Sequence, residues 1–194
     1  FFFILHFNIL NFFLIRNFCN FTTILSSGTN NHTMRYEPIN PELFKLNRKR
    51  FAQKMMPDSI AVFHSNDQMP RNGDTFFPFR QNSDLFYLCG LDQEETVLVL
   101  FPDCIKEGFH ELVFIKRADE VSATWEGRKY SKDEARQISG IEKVFWLEEM
   151  EPIFHELLLL SKRIYLNFNE HDRFHSEVPS RNRRMADRLM KRYP

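Results

Sequence analysis

Two apolar runs decide the fold: residues 95–101 read ETVLVLF and residues 111–116 read ELVFIK. Continuous apolar runs of this length are typical of strands that are buried on both faces of a sheet. Residues 102–108 separate the two runs and contain Pro102 and Gly108, which favour a turn. The sequence therefore predicts that the two runs pair as a β-hairpin.

Strands and helices alternate on both sides of this predicted hairpin. Further strands are predicted at residues 59–64, 143–147 and 163–168, where short apolar runs recur. The clearest helix start is the capping box of Ser131 and Glu134. A hairpin among alternating strands and helices favours an α/β fold with a mixed β-sheet flanked by helices. The predicted helices cover residues 41–56, 131–138, 148–161 and 175–192.

The first predicted helix begins with a cap residue, Asn40, followed by Pro41 and the acidic Glu42. Apolar residues then recur at roughly helical spacing, so we expect them to face the core. The Lys and Arg residues between positions 45 and 54 are predicted to lie on the opposite face. The predicted inward positions are Leu43, Leu46 (or Asn47), Phe51 and Met55.

The first 33 residues differ in composition from the rest of the chain. They contain eight of the 22 Phe, and Arg16 is the only one of their residues that is Lys, Arg, Asp or Glu. They are rich in Phe, Ile, Leu and Asn, which can all be encoded by A/T-only codons, and the first methionine is Met34. We predict a non-native or disordered leader at residues 1–33, with a signal or anchor, or a structured extension, as the alternatives, and a domain at residues 34–194.

Charge and cysteine content bound the function. The chain has 26 Lys+Arg and 26 Asp+Glu, a balance that argues against nucleic acid and against an anionic membrane as partners. The basic run within residues 181–192 is interpreted as the solvent-facing side of a helix. Beyond the leader only Cys89 and Cys104 remain, so we expect buried thiols and a cytoplasmic location.

A metal site can be considered at His171 and His175, which are four residues apart and could share a helix face. Asp172 or Glu177 would be the third ligand. A polar loop that leads into the last helix explains the same residues, and the sequence favours the loop. We therefore predict no metal ligands in this chain.

Residues 71–91, RNGDTFFPFRQNSDLFYLCGL, are the most informative segment. They combine arginine and aspartate with five aromatic residues and two turn signals. Carboxylates can hold an arginine by bidentate pairing, and aromatic rings can stack on it. We predict that Arg80 pairs with Asp74 or Asp84 in a structural role.

This segment resembles the N-terminal domain of aminopeptidase P, the Xaa-Pro aminopeptidase of the pita-bread metallopeptidase and creatinase superfamily. The resemblance rests on an Arg-Asn…Asp group, an aromatic-Pro-aromatic-Arg-Gln-Asn-Ser-Asp block with aromatics and a glycine after it, and a Trp-x-Gly-Arg turn. It covers about residues 34–194 and implies the fold of that N-terminal domain. The matching residues assigned a structural role are Arg71, Asp74, Arg80, Asp84, Gly90, Trp125 and Gly127.

The family has a two-domain subunit, and its chemistry lies in the C-terminal pita-bread domain. There two divalent metals, usually manganese, activate a water that attacks the peptide bond before a proline. The resemblance places no catalytic residue and no metal ligand on the present chain. It therefore implies that this chain is inactive by itself and belongs with a catalytic domain that is absent from it.

The resemblance also implies partners. The family's N-terminal domain packs against other subunits of a homo-oligomer and helps to form the wall of a substrate channel for peptides with proline second. Phe86, Tyr87 and Arg128 are the residues that match channel or subunit-interface positions. Three alternatives stay open: the N-terminal domain of a prolidase, a non-catalytic peptide- or protein-binding module, and a standalone assembly domain.

Overall fold

The computed structural model describes residues 3–7, 39–117, 128–168 and 176–193. Within them, six strands form one sheet in the order β1-β8-β2-β5-β6-β7, and β3 and β4 form a separate hairpin. The strands are β1 Phe3–Phe7, β2 Ser59–His64, β3 Pro70–Asn72, β4 Thr75–Phe76, β5 Val97–Leu100, β6 Glu111–Ile115, β7 Lys143–Trp146 and β8 Arg163–Asn167.

The central hairpin has the predicted pairing. β5 and β6 are antiparallel, with Val97 opposite Phe114 and Leu100 opposite Glu111. β2 is antiparallel to β5, whereas β8 is parallel to β2 and β7 is parallel to β6. The predicted mixed α/β sheet is therefore confirmed.

Helices cover both faces of the sheet, which explains why its strands are continuously apolar. Alternate residues of β2 point to opposite sides: Ala61 and Phe63 join a core with the first three helices, and Ile60 and Val62 join a core with the last two. The helices are α1 Pro41–Ala52, α2 Ser83–Cys89, α3 Lys132–Ser139, α4 Met150–Leu160 and α5 Arg181–Arg192.

The start of α1 was predicted correctly, and its buried face was predicted in part: Phe51 and the alternative Asn47 are buried. Asn40 accepts a hydrogen bond from the backbone N–H of Glu42, as a helix cap should. Leu43 and Leu46 are each 43% exposed, whereas Arg48, predicted to face solvent, is fully buried. The helix is rotated relative to the apolar pattern because its buried polar residues find carbonyl and carboxylate partners. Its buried residues are Phe44, Asn47, Arg48 and Phe51.

Other helix ends follow local signals. Ser131 and Glu134 form the predicted capping box at the start of α3, and Gly140 ends that helix in the left-handed region with φ 67. The last helix begins at Arg181 rather than near residue 175, because the Ser180 side chain accepts from the Arg183 N–H and caps it there.

Strand β1 lies inside the predicted leader. It pairs in parallel with β8, with Phe3 opposite Arg163 and Phe7 opposite Asn167. The division of the chain at Met34 stays a prediction. Among the described residues, no helix is both long enough and apolar enough to cross a membrane.

Candidate functional site

Helix α2 lies at the centre of the segment that the sequence singled out. Asn82 caps it: the side-chain Oδ1 accepts from the backbone N–H of Asp84 at 3.0 Å and of Leu85 at 3.2 Å. Leu85, Leu88 and Cys89 face the core and are buried. An Asn at this position therefore satisfies two backbone donors at the start of the helix.

Gln81 ties the entrance of α2 to the chain that follows the helix. Its Nε2 donates to the carbonyls of Leu91 and Gln93, both at 2.9 Å, and its Oε1 accepts from the Asn82 N–H at 2.8 Å. Gln93 in turn donates to the Lys116 carbonyl at 3.1 Å, just beyond β6. This chain of hydrogen bonds fixes α2 against the central hairpin.

Asp84 pairs with an amide and not with an arginine. It accepts from Asn167 Nδ2 at 2.8 Å, and burial raises the pKa of its carboxyl. The Arg80 side chain is exposed, and its carbonyl accepts from Asn66 Nδ2 at 3.0 Å. Within the described residues Arg80 has no ion pair with Asp74 or Asp84, so the predicted pairing is not formed. Arg80 is left to face solvent.

Gly90 ends α2 in the left-handed region, with φ 70. A Cβ atom there would lie 2.4 Å from the ring of Phe44, so the position excludes larger residues on two grounds. The same Phe44 ring makes an edge contact with Phe86, with ring centroids 6.4 Å apart. Close packing of α1 on the end of α2 therefore depends on this glycine.

Asn47 and Arg48 of α1 support the end of α2, and sequence reasoning missed Arg48. Asn47 Nδ2 donates to the Tyr87 carbonyl and Arg48 Nη1 to the Leu88 carbonyl, both at 2.9 Å. Arg48 also donates to the Ser139 carbonyl at 2.9 Å and forms an ion pair with Glu111 at 2.8 Å. One buried guanidinium thus joins α1, α2, α3 and β6.

Phe86 and Tyr87, the predicted channel or interface residues, are half-buried. The Asn47 contact holds the backbone of Tyr87, and burial raises the pKa of its phenol. Phe86 contacts the ring of Phe44, and Tyr87 packs against the core of the domain.

Arg128 is distant from Phe86 and Tyr87 in sequence, but its segment is hydrogen-bonded to Gln93, which follows α2. Its side chain is 60% exposed and forms an ion pair with Glu134 of the α3 capping box. Next to it, Lys129 forms a buried ion pair with Glu94, and the Tyr130 N–H donates to Gln93 Oε1 at 2.7 Å. The segment is therefore attached to the same loop as Gln81. Trp125 and Gly127 lie outside the described residues.

The β3–β4 hairpin, with its flanks at residues 69–77, carries an exposed apolar surface. Met69, Phe76 and Phe77 are 49%, 51% and 54% exposed. Arg71 and Asp74, predicted as structural residues, are exposed on the same hairpin. The Phe77 N–H donates to the Met69 carbonyl at 3.0 Å, which closes the base of this hairpin.

The described residues contain no group of three or more His, Cys, Asp or Glu that could hold a metal. His171, Asp172 and His175 lie outside the described residues. Cys89 and Cys104 are free and buried, as predicted, and burial raises the pKa of Cys89 to about 12.

The sheet and the helices on both of its faces have the same fold as a domain found in a known class of peptidases. Aminopeptidase P from E. coli, in its low-pH form, has a similar fold: the TM-score is 0.61 at 26% identity, covering 70% of this chain and 31% of that one. A Bacillus anthracis structure described as an aminopeptidase P gives a TM-score of 0.70, covering 80% of this chain and 37% of that one at 24% identity.

The family follows from the sequence itself. The family model described as aminopeptidase P, N-terminal domain, matches residues 44–165. The chain belongs to this family, and the resemblance carried by residues 71–91 is confirmed.

Curated relatives are longer proteins. The E. coli Xaa-Pro aminopeptidase is 28% identical over 120 residues, which are 62% of this chain and 27% of that protein. Human Xaa-Pro aminopeptidase 3 is 23% identical, covering 70% of this chain and 28% of that protein. The yeast intermediate cleaving peptidase 55 is 31% identical, covering 55% and 20%. The chain therefore spans about a quarter of the length of these relatives.

Proposed function

We propose that this chain acts as the N-terminal domain of a manganese-dependent Xaa-Pro aminopeptidase, where it serves subunit assembly and the wall of the substrate channel. The observation that carries the proposal is the exposed apolar surface of residues 69–77, which precede the capped helix α2 in the chain. Phe, Met and Arg are enriched in protein interfaces. Here they are exposed on a hairpin that the rest of the described domain leaves uncovered.

The geometry supports a supporting role instead of a chemical one. The relatives are Xaa-Pro aminopeptidases, and a zinc-substituted E. coli aminopeptidase P with product is among the similar structures. The match covers about a quarter of each relative, and we assign the metals of such an enzyme to the part outside this match. Phe86, Tyr87 and Arg128 are proposed to face the channel or a neighbouring subunit.

Assembly can be tested on the purified chain by analytical ultracentrifugation. We expect concentration-dependent self-association that the double variant Phe76→Ser/Phe77→Ser abolishes. Ile105 is 84% exposed and Leu159 is 64% exposed, and both lie outside the hairpin. The matched control Ile105→Ser/Leu159→Ser should therefore associate like the wild type. A wild-type chain that stays monomeric at all concentrations, or equal loss in both double variants, would contradict the assembly role.

Activity is tested separately, with manganese and a peptide that has proline second. The chain alone should give no turnover, and measurable release of the first residue would overturn the proposed division of labour. The aminopeptidase names of the relatives favour this parent over a prolidase. Free, buried Cys89 and Cys104 support a reducing location such as the cytoplasm.

The second candidate is a non-catalytic peptide-binding module, which the same exposed aromatic residues would serve. Titration calorimetry of the chain with a peptide that has proline second distinguishes the two. Binding by the isolated chain would favour the module, and absence of binding would favour a wall that needs its catalytic domain.

A further inference from the structure

A cleft lies on the face of the sheet opposite to α2, between α4 and α5. Its volume is about 360 Å³, which is within the usual range for small-ligand sites. Its floor is apolar and includes Phe154 and Leu158 of α4 and Met185 of α5. Its rim is formed by the arginines of α5, namely Arg181, Arg184, Arg188 and Arg192.

Acidic side chains neutralise most of this rim. Asp67 pairs with Arg181 at 2.8 Å and with Arg184 at 2.7 Å. Arg192 pairs with Glu151 of α4 at 2.5 Å. Arg188 is exposed and, within the described part of the chain, has no hydrogen bond or ion pair. The rim therefore has one guanidinium that is left free to bind an anion.

The positive field reaches the inner end of the cleft. His64, at the end of β2, is buried, and the distance from its Nδ1 to Asn182 Oδ1 is 2.8 Å. Burial, together with repulsion from Arg181, Arg188 and Arg184, lowers the pKa of His64 to about 4. The imidazole is thus neutral at pH 7 and adds no charge to the cleft.

We propose that this cleft binds a small anion with an apolar chain, such as a medium-chain carboxylate. The carboxylate would pair with Arg188 by a charge-assisted hydrogen bond. The chain would lie on Phe154, Leu158 and Met185, where its burial removes apolar surface from water. Nucleic acid fits less well, because Asp67 and Glu151 stand among the arginines and a phosphate chain has no use for the apolar floor.

Methionine methyl groups report on this binding directly. Met150 and Met185 line the cleft, whereas Met56 and Met69 are exposed outside it. Octanoate added to the chain labelled with ¹³C at the methionine methyls should shift the Met150 and Met185 signals and leave those of Met56 and Met69 in place. Acetate has the charge without the chain, and octanol has the chain without the charge, so both should bind more weakly than octanoate.

Two arginines of the same helix give a matched pair of variants. Arg188→Gln should weaken octanoate binding about tenfold, since a charge-assisted contact is lost. Arg183 pairs with Asp187 at 3.3 Å and does not line the cleft, so Arg183→Gln should bind like the wild type. Arg188→Lys retains the charge and should keep most of the affinity, which separates loss of charge from loss of fold.

Several outcomes would overturn the proposal. Octanol or acetate binding as tightly as octanoate would remove the role of the charge or of the chain. Equal weakening by Arg183→Gln would indicate a general charge effect. Methyl shifts spread over all methionines would indicate binding without a site. Binding to phosphatidylglycerol vesicles without binding of monomeric octanoate would indicate a membrane surface instead of a cleft.

Discussion

The α2 segment (residues 81–90, helix α2 with its caps) and the hairpin at residues 69–77 are neighbours in sequence, but they differ in which side chains they bury. In the α2 segment, polar side chains such as Gln81 and Asn82 are partly buried and hydrogen-bond to backbone groups. In the hairpin, apolar side chains such as Phe76 and Phe77 point outward. A motif spanning both therefore contains two kinds of residue: those that build the domain and those left available to a partner. Mutations in the two regions should separate them.

The largest effect on stability is expected at Arg48, which donates a hydrogen bond to the Leu88 carbonyl near the end of α2. Arg48→Ala removes three contacts, to Glu111, Leu88 and Ser139, and leaves two buried carbonyls without these donors. We expect a loss of about 3 kcal/mol in the free energy of unfolding. The measurement is urea unfolding followed by circular dichroism.

Lys49 offers the control for that experiment, since it is exposed on the same helix. Lys49→Ala should change the free energy of unfolding by less than about 0.5 kcal/mol. If the two variants unfolded at the same urea concentration, the buried guanidinium would have no special role, and the contrast between the two regions would be lost.

Because of a second buried polar group, His64, we expect the free energy of unfolding to depend on pH. Its pKa is lowered from 6.5 to about 4 in the folded chain, so the unfolded chain binds the proton more tightly. Stability from this group is complete above about pH 6.5 and falls as the pH drops toward 4, by about 3 kcal/mol across that window.

The pH dependence can be assigned with His64→Gln, which keeps a hydrogen-bonding group for Asn182. Urea unfolding of both proteins at pH 7 and pH 5 should show a smaller loss in the variant. Asp84 works in the opposite direction, because its raised pKa favours the protonated state as the pH falls. An identical loss in both proteins would show that other groups control the acid sensitivity.

Gln81 comes next in the series. Gln81→Ala removes the donor to the Leu91 carbonyl and one of two donors to the Gln93 carbonyl, which keeps the Thr96 hydroxyl. We expect a loss of about 1–2 kcal/mol in the free energy of unfolding. Gln137 is exposed on α3, and Gln137→Ala serves as the comparison in the same urea titration. If Gln81→Ala lowered the free energy of unfolding no more than Gln137→Ala does, the α2 segment would not depend on this hydrogen-bond network.

The sequence predicted features that depend on neighbouring residues and missed those that depend on distant ones. The hairpin of β5 and β6 and the capping box of Ser131 and Glu134 arise from local patterns, and both are present. The buried face of α1 was predicted only in part, because Arg48 is buried by partners 63 and 91 residues away in sequence. Periodicity counts a charged residue as exposed and contains no information about such partners.

The candidate site divides along the same line. Family resemblance identified the segment that contains α2 and the hairpin, but it did not predict which arginine is buried. Arg80, predicted to pair with a carboxylate, faces solvent, while Asp84 is satisfied by Asn167 from β8. A strand 83 residues away in sequence supplies that partner, so only the folded chain reveals that Arg80 is available.

The smallest effect on stability is expected in the hairpin itself. Phe76 and Phe77 are about half exposed, so Phe76→Ser/Phe77→Ser should lower the free energy of unfolding by no more than about 1 kcal/mol in total. The same double variant is expected to abolish self-association, whereas Gln81→Ala should weaken the fold without changing association in the folded state. Urea unfolding and sedimentation of both variants therefore form a crossed test. A hairpin variant as unstable as Gln81→Ala would mean that these aromatic side chains stabilise the core of the domain and are not available to contact a partner.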